Sequence, residues 1–129
     1  MNFLDRALGG HEQALQVKAR RLEVLSQNIA NADVPNYKAR DLDFKSILQK
    51  AIASGSPLAS THAGHVKADI VSEQQNLKYR VPFNTSFDGN TVEMSVEQAQ
   101  YGQAAGQYQA TLNFMESRVS SLRRALKGE

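Results

Sequence analysis

Few residues in this chain have the types and spacing that could do chemistry. His62 and His65 stand three apart, but there is no cysteine, and no nearby carboxylate lies at a ligand spacing, so they read as loop histidines and no metal site is expected. Asp41 and Asp43 form the closest pair of carboxylates that could act as acid and base. Such a pair needs an enclosed pocket to move its pKa values apart, and nothing around these two suggests one; they read as residues opening a helix. No serine, histidine and acid combination carries a nucleophile signature, and no glycine-rich loop could cradle a phosphate. Enzymatic activity, a cofactor and a small-molecule substrate are therefore not expected.

The elements around these residues carry more information. The chain has 129 residues, of which 41% are hydrophobic and only 7% aromatic, enough for one domain with a modest core. Its net charge of +2 comes without a Lys/Arg block interleaved with aromatics, so nucleic-acid binding gains no support. The first ten residues include Asp5 and Arg6 and lack an apolar run, so a cleavable secretory signal is not expected; no window is apolar enough to span a membrane.

Leu8, His11, Leu15, Lys18, Leu22, Leu25, Ile29 and Ala32 alternate in threes and fours, the spacing of a coiled-coil stripe. A helix from Phe3 to Ala32 would be roughly 45 Å long at 1.5 Å per residue, which predicts an elongated molecule. The stripe ends where Asp33, Pro35 and Asn36 stop a helix. Met94, Gln98, Tyr101, Ala105, Tyr108, Leu112, Met115, Val119, Leu122 and Leu126 repeat the pattern, predicting a second helix from Glu93 to Lys127. Arg118, Arg123, Arg124 and Lys127 suit its negative pole, and Gly128 suits its stop.

Between these helices, Phe44, Ile47, Leu48, Ala51 and Ile52 predict a short amphipathic helix with Asp43 as N-cap and Gly55 as terminator. Residues 54–64 read as loop. Val66 to Val71 and Lys78 to Phe83 could be short strands or extended arms, and Asp88-Gly89-Asn90 marks a turn. The fold class is mainly α: long terminal helices packed as an antiparallel coiled-coil-like pair, with a short helix and an irregular or short-stranded middle. The terminal segments 1–32 and 93–129 form one unit and 33–92 the other.

Leu4, Ala14, Val17 and Val24 lie beside the first stripe, and Ala110 and Phe114 beside the second. A two-helix hairpin covers each seam residue on one side only, so it falls short of the roughly 1.5 to 3 kcal/mol that full burial of an aliphatic side chain supplies. That points to further neighbours, although heptads alone are equally compatible with an ordinary intramolecular pair. Gly102 and Gly106, set among alanines, give a smooth face that another backbone can approach, and together weaken the helix by about 2 kcal/mol. His11 and Lys18 mark either a polar layer setting register or a rim where the stripe meets solvent; the reach of a lysine favours the rim.

The junction Leu25-Ser26-Gln27-Asn28-Ile29-Ala30-Asn31-Ala32-Asp33, followed by Pro35-Asn36-Tyr37-Lys38-Ala39-Arg40, resembles the signature of the rod proteins of the bacterial flagellar basal body. Arg40-Asp41-Leu42-Asp43-Phe44, Tyr79-Arg80-Val81-Pro82 and Asp88-Gly89-Asn90-Thr91-Val92-Glu93-Met94 look like the proximal rod members rather than hook or distal rod. Relatives commonly have glycine where Asn36 stands, and asparagine is the next most tolerant residue of a left-handed turn. Acidic residues usual just after Met94 are replaced by Ser95 and Val96.

The resemblance implies a structural axial protein of the proximal rod, in the periplasm near the inner membrane, exported by the flagellar type III apparatus without a cleaved signal. It implies partners among copies of itself, other rod proteins, and membrane-ring or export-gate adaptors at the rod base. The terminal helices would form the inner tube and be disordered before assembly, so that subunit addition couples folding to binding. Asn28 and Asn31 are expected to bond backbone groups at the helix exit and fix the angle at which the chain leaves, or simply to cap the helix. The seam residues Leu8, Leu15, Leu22, Leu25, Ile29, Met94, Tyr101, Gly102, Ala105, Gly106, Tyr108, Leu112, Met115, Val119, Leu122 and Leu126 are expected at the assembly interface. The rival expectation is a soluble helical adaptor or secretion-chaperone-like module.

Overall fold

The computed structural model describes the backbone of residues 3–47 and 77–128, with side chains at residues 11, 14–47 and 77–128. Helix α1 spans Phe3–Ala30 and helix α2 spans Met94–Lys127. Strands β1 (Arg40–Leu42) and β2 (Leu77–Tyr79) pair antiparallel, with Arg40 opposite Tyr79 and Leu42 opposite Leu77. A helical segment opens at Phe44, and its described part is residues 44–47. The expected continuation of that helix through Leu48, Ala51 and Ile52 lies outside the described residues. So do its terminator Gly55, the loop with His62 and His65, and the extended segment Val66 to Val71.

The two long helices run antiparallel as expected: Asn28 meets Glu97, Arg21 meets Gln100, and His11 stacks on Phe114. With 28 and 34 residues, they are roughly 42 and 51 Å long at 1.5 Å per residue, which makes the molecule elongated.

Helix α1 ends two residues before the last apolar residue of its stripe. The Asn31 side chain donates to Gln27 O at 2.7 Å, while its backbone N–H is shared between Gln27 O and Asn28 O. The Ala32 N–H then reaches only Ile29 O, so the last turn tightens and the helix closes. Asn36 follows in the left-handed region at φ 59°, the conformation in which asparagine is the best substitute for glycine.

At the other end of the middle segment, Glu93 is the N-cap of α2 but makes no side-chain cap. Its carboxylate instead accepts from the backbone N–H groups of Phe83 and Asn84, tying down the approach to the helix. Gly128 closes α2 at φ 74°, donating to Arg124 O, with Arg124 and Lys127 in the last turn.

The apolar core is small. Val17 packs with Leu42 and Ile47, and Leu77 closes over them; Val24, Leu25, Ala39 and Ala104 are buried as well. Val17 is thus covered by the chain's own strands and helical turn, so for this residue the extra neighbour is internal. On α2 Phe114 stays half exposed.

A buried polar junction as the candidate functional site

Among the described residues, the most deeply buried side chains include three polar ones, Asn28, Asn90 and Glu97, alongside Leu25. All three gather where α1 exits and α2 begins. A buried polar group is costly unless its hydrogen bonds are made, and here nearly all are.

Asn28 has the spacing of an apolar stripe position on α1, which aims it at β1. Its Nδ2 donates to Arg40 O at 2.7 Å and to Glu97 Oε2 at 3.1 Å, and its Oδ1 accepts from Arg40 N at 3.2 Å and from the Tyr37 hydroxyl at 3.3 Å. One amide therefore fills both backbone bonding positions of Arg40, as a neighbouring strand would, and joins α1, β1 and α2.

Asn90 does the same for the helix exit. Its Nδ2 donates to the carbonyls of Asn31 (3.1 Å), Ala32 (2.7 Å) and Val34 (2.8 Å), and its Oδ1 accepts from Val92 N at 2.8 Å. Carbonyls left without intrahelical partners at the end of α1 are thus capped by a residue nearly sixty positions away. The turn that delivers Asn90 needs Gly89 at φ 77°. A Cβ there would lie 2.5 Å from Asn36 Oδ1, so the two left-handed residues sit face to face. Around them Asn36 N donates to Asp88 O, Thr91 N to Tyr37 O, the Lys38 ammonium to Gly89 O, and Ala39 N to Thr91 Oγ1.

Beside Asn28 lies a neutral charge cluster. Asp41 accepts from Arg21 through both carboxylate oxygens, at 3.1 Å each, and from Arg80 Nη2 at 2.9 Å. Arg80 Nη1 stands 2.8 Å from Glu97 Oε1, an ion pair without the N–H alignment of a hydrogen bond, and Arg21 Nη2 donates on to Gln100 Oε1. Alternating charges from α1, β1, the residue after β2 and α2 thereby close one network. Asp41 does not open a helix, as its position beside Asp43 suggested; it faces two guanidiniums because β1 turns it toward α1. Asp43 does open one. Its Oδ1 accepts from Ser46 N, its carbonyl accepts from Ile47 N, and it pairs with Lys78. The Lys78 ammonium, then the Ser46 N–H, hold its carboxyl below its ordinary value of 3.8.

The residues marked out from spacing divide in two. Leu25 and Asn28 are buried, and Leu15, Leu22, Ile29, Asn31, Ala105, Tyr108, Leu112, Met115 and Leu122 are half buried. Met94, Tyr101, Gly102, Gly106, Val119 and Leu126 are exposed, and the side chain of Leu8 lies outside the described residues. In the first turns of α2 the inner positions belong to Glu97, Gln100 and Ala104, one residue ahead of the apolar stripe. Arg21 and Glu97 were not singled out by sequence reasoning, and Tyr37, Arg80, Asn90 and Thr91 stood in family-like motifs without a role of their own. The available signal was polar residues standing where a helix face or strand face turns inward.

A cleft of about 150 Å³ beside Asn28, lined by Arg20, Val24, Gln27, Tyr37, Arg40 and Leu77, is smaller than pockets that usually hold small ligands. Among the described residues no three metal-ligating side chains come together, and no helix is long and apolar enough to cross a membrane.

The model of the family described as flagella basal body rod protein matches residues 10–38, most of α1 and its exit through Asn28, Asn31 and Asn36. The flagellar basal body rod protein FlgB of Cereibacter sphaeroides is 43% identical over 127 residues, covering 98% of both chains. The chain belongs to the FlgB family of flagellar basal body rod proteins. Similarity to the family extends over Salmonella typhimurium FlgB, 40% identical over 99% of this chain and 98% of that one, and Escherichia coli FlgB, 38% identical over 98% and 97%. Because FlgB relatives match from end to end, the second helix and the Asn90 turn belong to the family likeness as much as the matched first helix does.

Proposed function

We propose that this chain is a structural axial subunit of the proximal rod of the flagellar basal body, and that the buried polar junction holds its middle segment at a fixed angle to its helix pair. The observation that carries the role is the full-length likeness to FlgB relatives. The observation that supports the mechanism is the network in which Asn28, Asn90 and Glu97 join α1, β1 and α2. A subunit of a rotating shaft must pass load between neighbours without changing shape. Directional bonds between buried groups resist such change better than apolar contact, which permits sliding.

In this reading the segments 1–32 and 93–129 form the inner assembly unit and 33–92 the outer one. The half-buried seam residues Leu15, Leu22, Ile29, Tyr108, Leu112 and Met115, with exposed Tyr101 and Val119, are the surface completed by adjacent subunits. The partners are other copies, other rod proteins, and membrane-ring or export-gate adaptors at the rod base. The site of action is the periplasm near the inner membrane, reached through the flagellar export apparatus with α1 retained, since Val17, Val24 and Leu25 of that helix build the core. Gly102 and Gly106 weaken α2 before docking, and packing on the growing end offsets the ordering entropy.

The test is complementation of a motile bacterium deleted for its own proximal rod protein. The full chain is expected to restore swimming and intact basal bodies, whereas a chain lacking residues 1–32 restores neither. Expressed full chain that restores nothing, or a truncated chain that builds a complete rod, overturns the reading. An adaptor or chaperone-like role is not favoured, because the relatives are rod proteins along their whole length.

A further inference from the structure

Among the described residues, two separate apolar surfaces remain open. The first is an arm beside the junction: Tyr79 is 71% exposed, Val81 89%, Phe83 90% and Phe87 112%. The intervening Arg80 and Pro82 are half buried, so exposure alternates along the extended segment, as expected when one face looks away from the body. Three aromatics and a valine, at 150 to 250 Å² per aromatic, present on the order of 500 Å² of apolar area. That is at the upper limit of what a monomer leaves open, and is the greater part of one side of a standard interface of about 800 Å². The second surface is the far end of α2, where Val119 and Leu126, seven residues apart on one face, are 38% and 77% exposed; Phe114 lies on another side of the helix, against His11.

The two surfaces cannot cover each other within one chain. The arm is tied to the start of α2 through Phe83, Asn84 and Glu93, and Leu126 lies some 45 Å further along that helix at 1.5 Å per residue. Nor do the far ends suit pairing with one another. Residues 114–129 carry Arg118, Arg123, Arg124 and Lys127 against Glu116 and Glu129, a net positive end, so two such ends side by side repel. Two different patches at opposite ends of a molecule make a heterologous contact, which propagates instead of closing.

We infer that the arm Tyr79, Val81, Phe83 and Phe87 docks on the distal face of α2, around Val119 and Leu126, of a second copy of this chain. The inference rests on the rod reading for its setting and specifies which faces of successive copies meet.

The chain has no cysteine, so introduced thiols report single positions. Two differently tagged chains, one Phe87→Cys and one Leu126→Cys, are expressed together in the rod-deficient host and treated with a short bis-maleimide. Phe83→Cys with Val119→Cys serves as a second pair. Each substitution trims one exposed side chain, so the helices should still form, as read by circular dichroism, and a product joining the two tags is expected from at least one pair. Links only between like positions, only to another protein, or only within one chain carrying both cysteines overturn the inference, as does no link from either pair. Unsubstituted chain that restores swimming while the links fail leaves the rod reading standing; failure to restore swimming counts against the rod reading itself.

Discussion

Replacing Asn28 by alanine should be among the most damaging single changes that leave the apolar core untouched. The side chain is fully buried, and its four hydrogen bonds include one to the Glu97 carboxylate. Removing it leaves the N–H and C=O of Arg40, at the edge of the cleft, and the buried Glu97 Oε2 without their amide partner. At 0.5 to 1.5 kcal/mol for each neutral bond and 1.5 to 3 for the charged one, the loss is about 4 kcal/mol. That is a large part of the 5 to 15 kcal/mol that stabilises a typical domain, and should lower the melting temperature by roughly 10 to 20 °C. Urea unfolding followed by helical circular dichroism measures it. Ser26→Ala, on the exposed face of the same turn, is the control and should cost under about 0.5 kcal/mol. The isosteric Asn28→Asp sharpens the test. Its carboxylate would face Glu97 and the Arg40 carbonyl, so its pKa in the folded state is raised above the unfolded value. The folded state then binds the extra proton first, and the deficit relative to Asn28 should be largest at neutral pH and shrink as pH falls through that raised pKa. An Asn28→Ala chain within 1 kcal/mol of the parent, or an Asn28→Asp chain whose deficit ignores pH, would refute the reasoning.

Glu97→Ala should cost about 3 to 5 kcal/mol by leaving Arg80 shielded without this partner, while Glu97→Gln, which keeps an acceptor for Asn28, should cost clearly less in the same urea experiment. Gly89→Ala suffers both the left-handed φ and contact with Asn36 Oδ1; adding Asn36→Gly should relieve the contact and leave a residual of about 1 to 2 kcal/mol from φ alone, read by thermal unfolding. The depressed Asp43 pKa means its pairing with Lys78 is intact above the ordinary value of 3.8 and is lost as pH falls through the lower folded value; in Lys78→Met the Asp43 carboxyl should titrate closer to 3.8 by carbon NMR. Gly102→Ala with Gly106→Ala meets open space within the chain, so it should stabilise the isolated subunit by about 2 kcal/mol; if these glycines admit a neighbour's backbone, swimming falls even as the subunit becomes more stable.

What could be read from the residues alone was whatever depends on near neighbours. The 3.6-residue period placed both helices, Gly128 and the cations before it marked the end of α2, Asp43 marked a helix start, and Asp33, Pro35 and Asn36 marked a helix stop. Each of these is decided within a few positions. The junction is decided across long separations: Arg21, Asp41, Arg80 and Glu97 come from four parts of the chain, and Asn90 caps a helix that ended nearly sixty residues earlier. A glutamate in the first turn of a helix is ordinarily accounted for by the helix dipole and solvent, so nothing local separates Glu97 from such a residue. The apolar stripe of α2 is local in the same sense. It marks which face is greasy, whereas the face turned to α1 in the first turns is chosen by Glu97 and Gln100, whose partners lie on other elements.

That choice bears on how such a subunit works. An apolar seam alone would let α1 and α2 slip by a turn with little loss, since leucine and alanine contacts are interchangeable along a stripe. Asn28 removes that freedom, because its bonds match particular groups: a shift of α2 by one helical turn breaks the bond to Glu97, and a shift of β1 breaks those to Arg40. The same holds for Asn90 against the exit carbonyls. Register and exit angle are therefore set by polar groups inside the chain, and the apolar stripes are left half open. A disrupted junction should then show its effect first as subunits that still bind neighbours but at the wrong angle. In cells with partly destabilised variants such as Glu97→Gln, short or bent rods are expected before rods disappear, and electron micrographs of isolated basal bodies would show the order of failure.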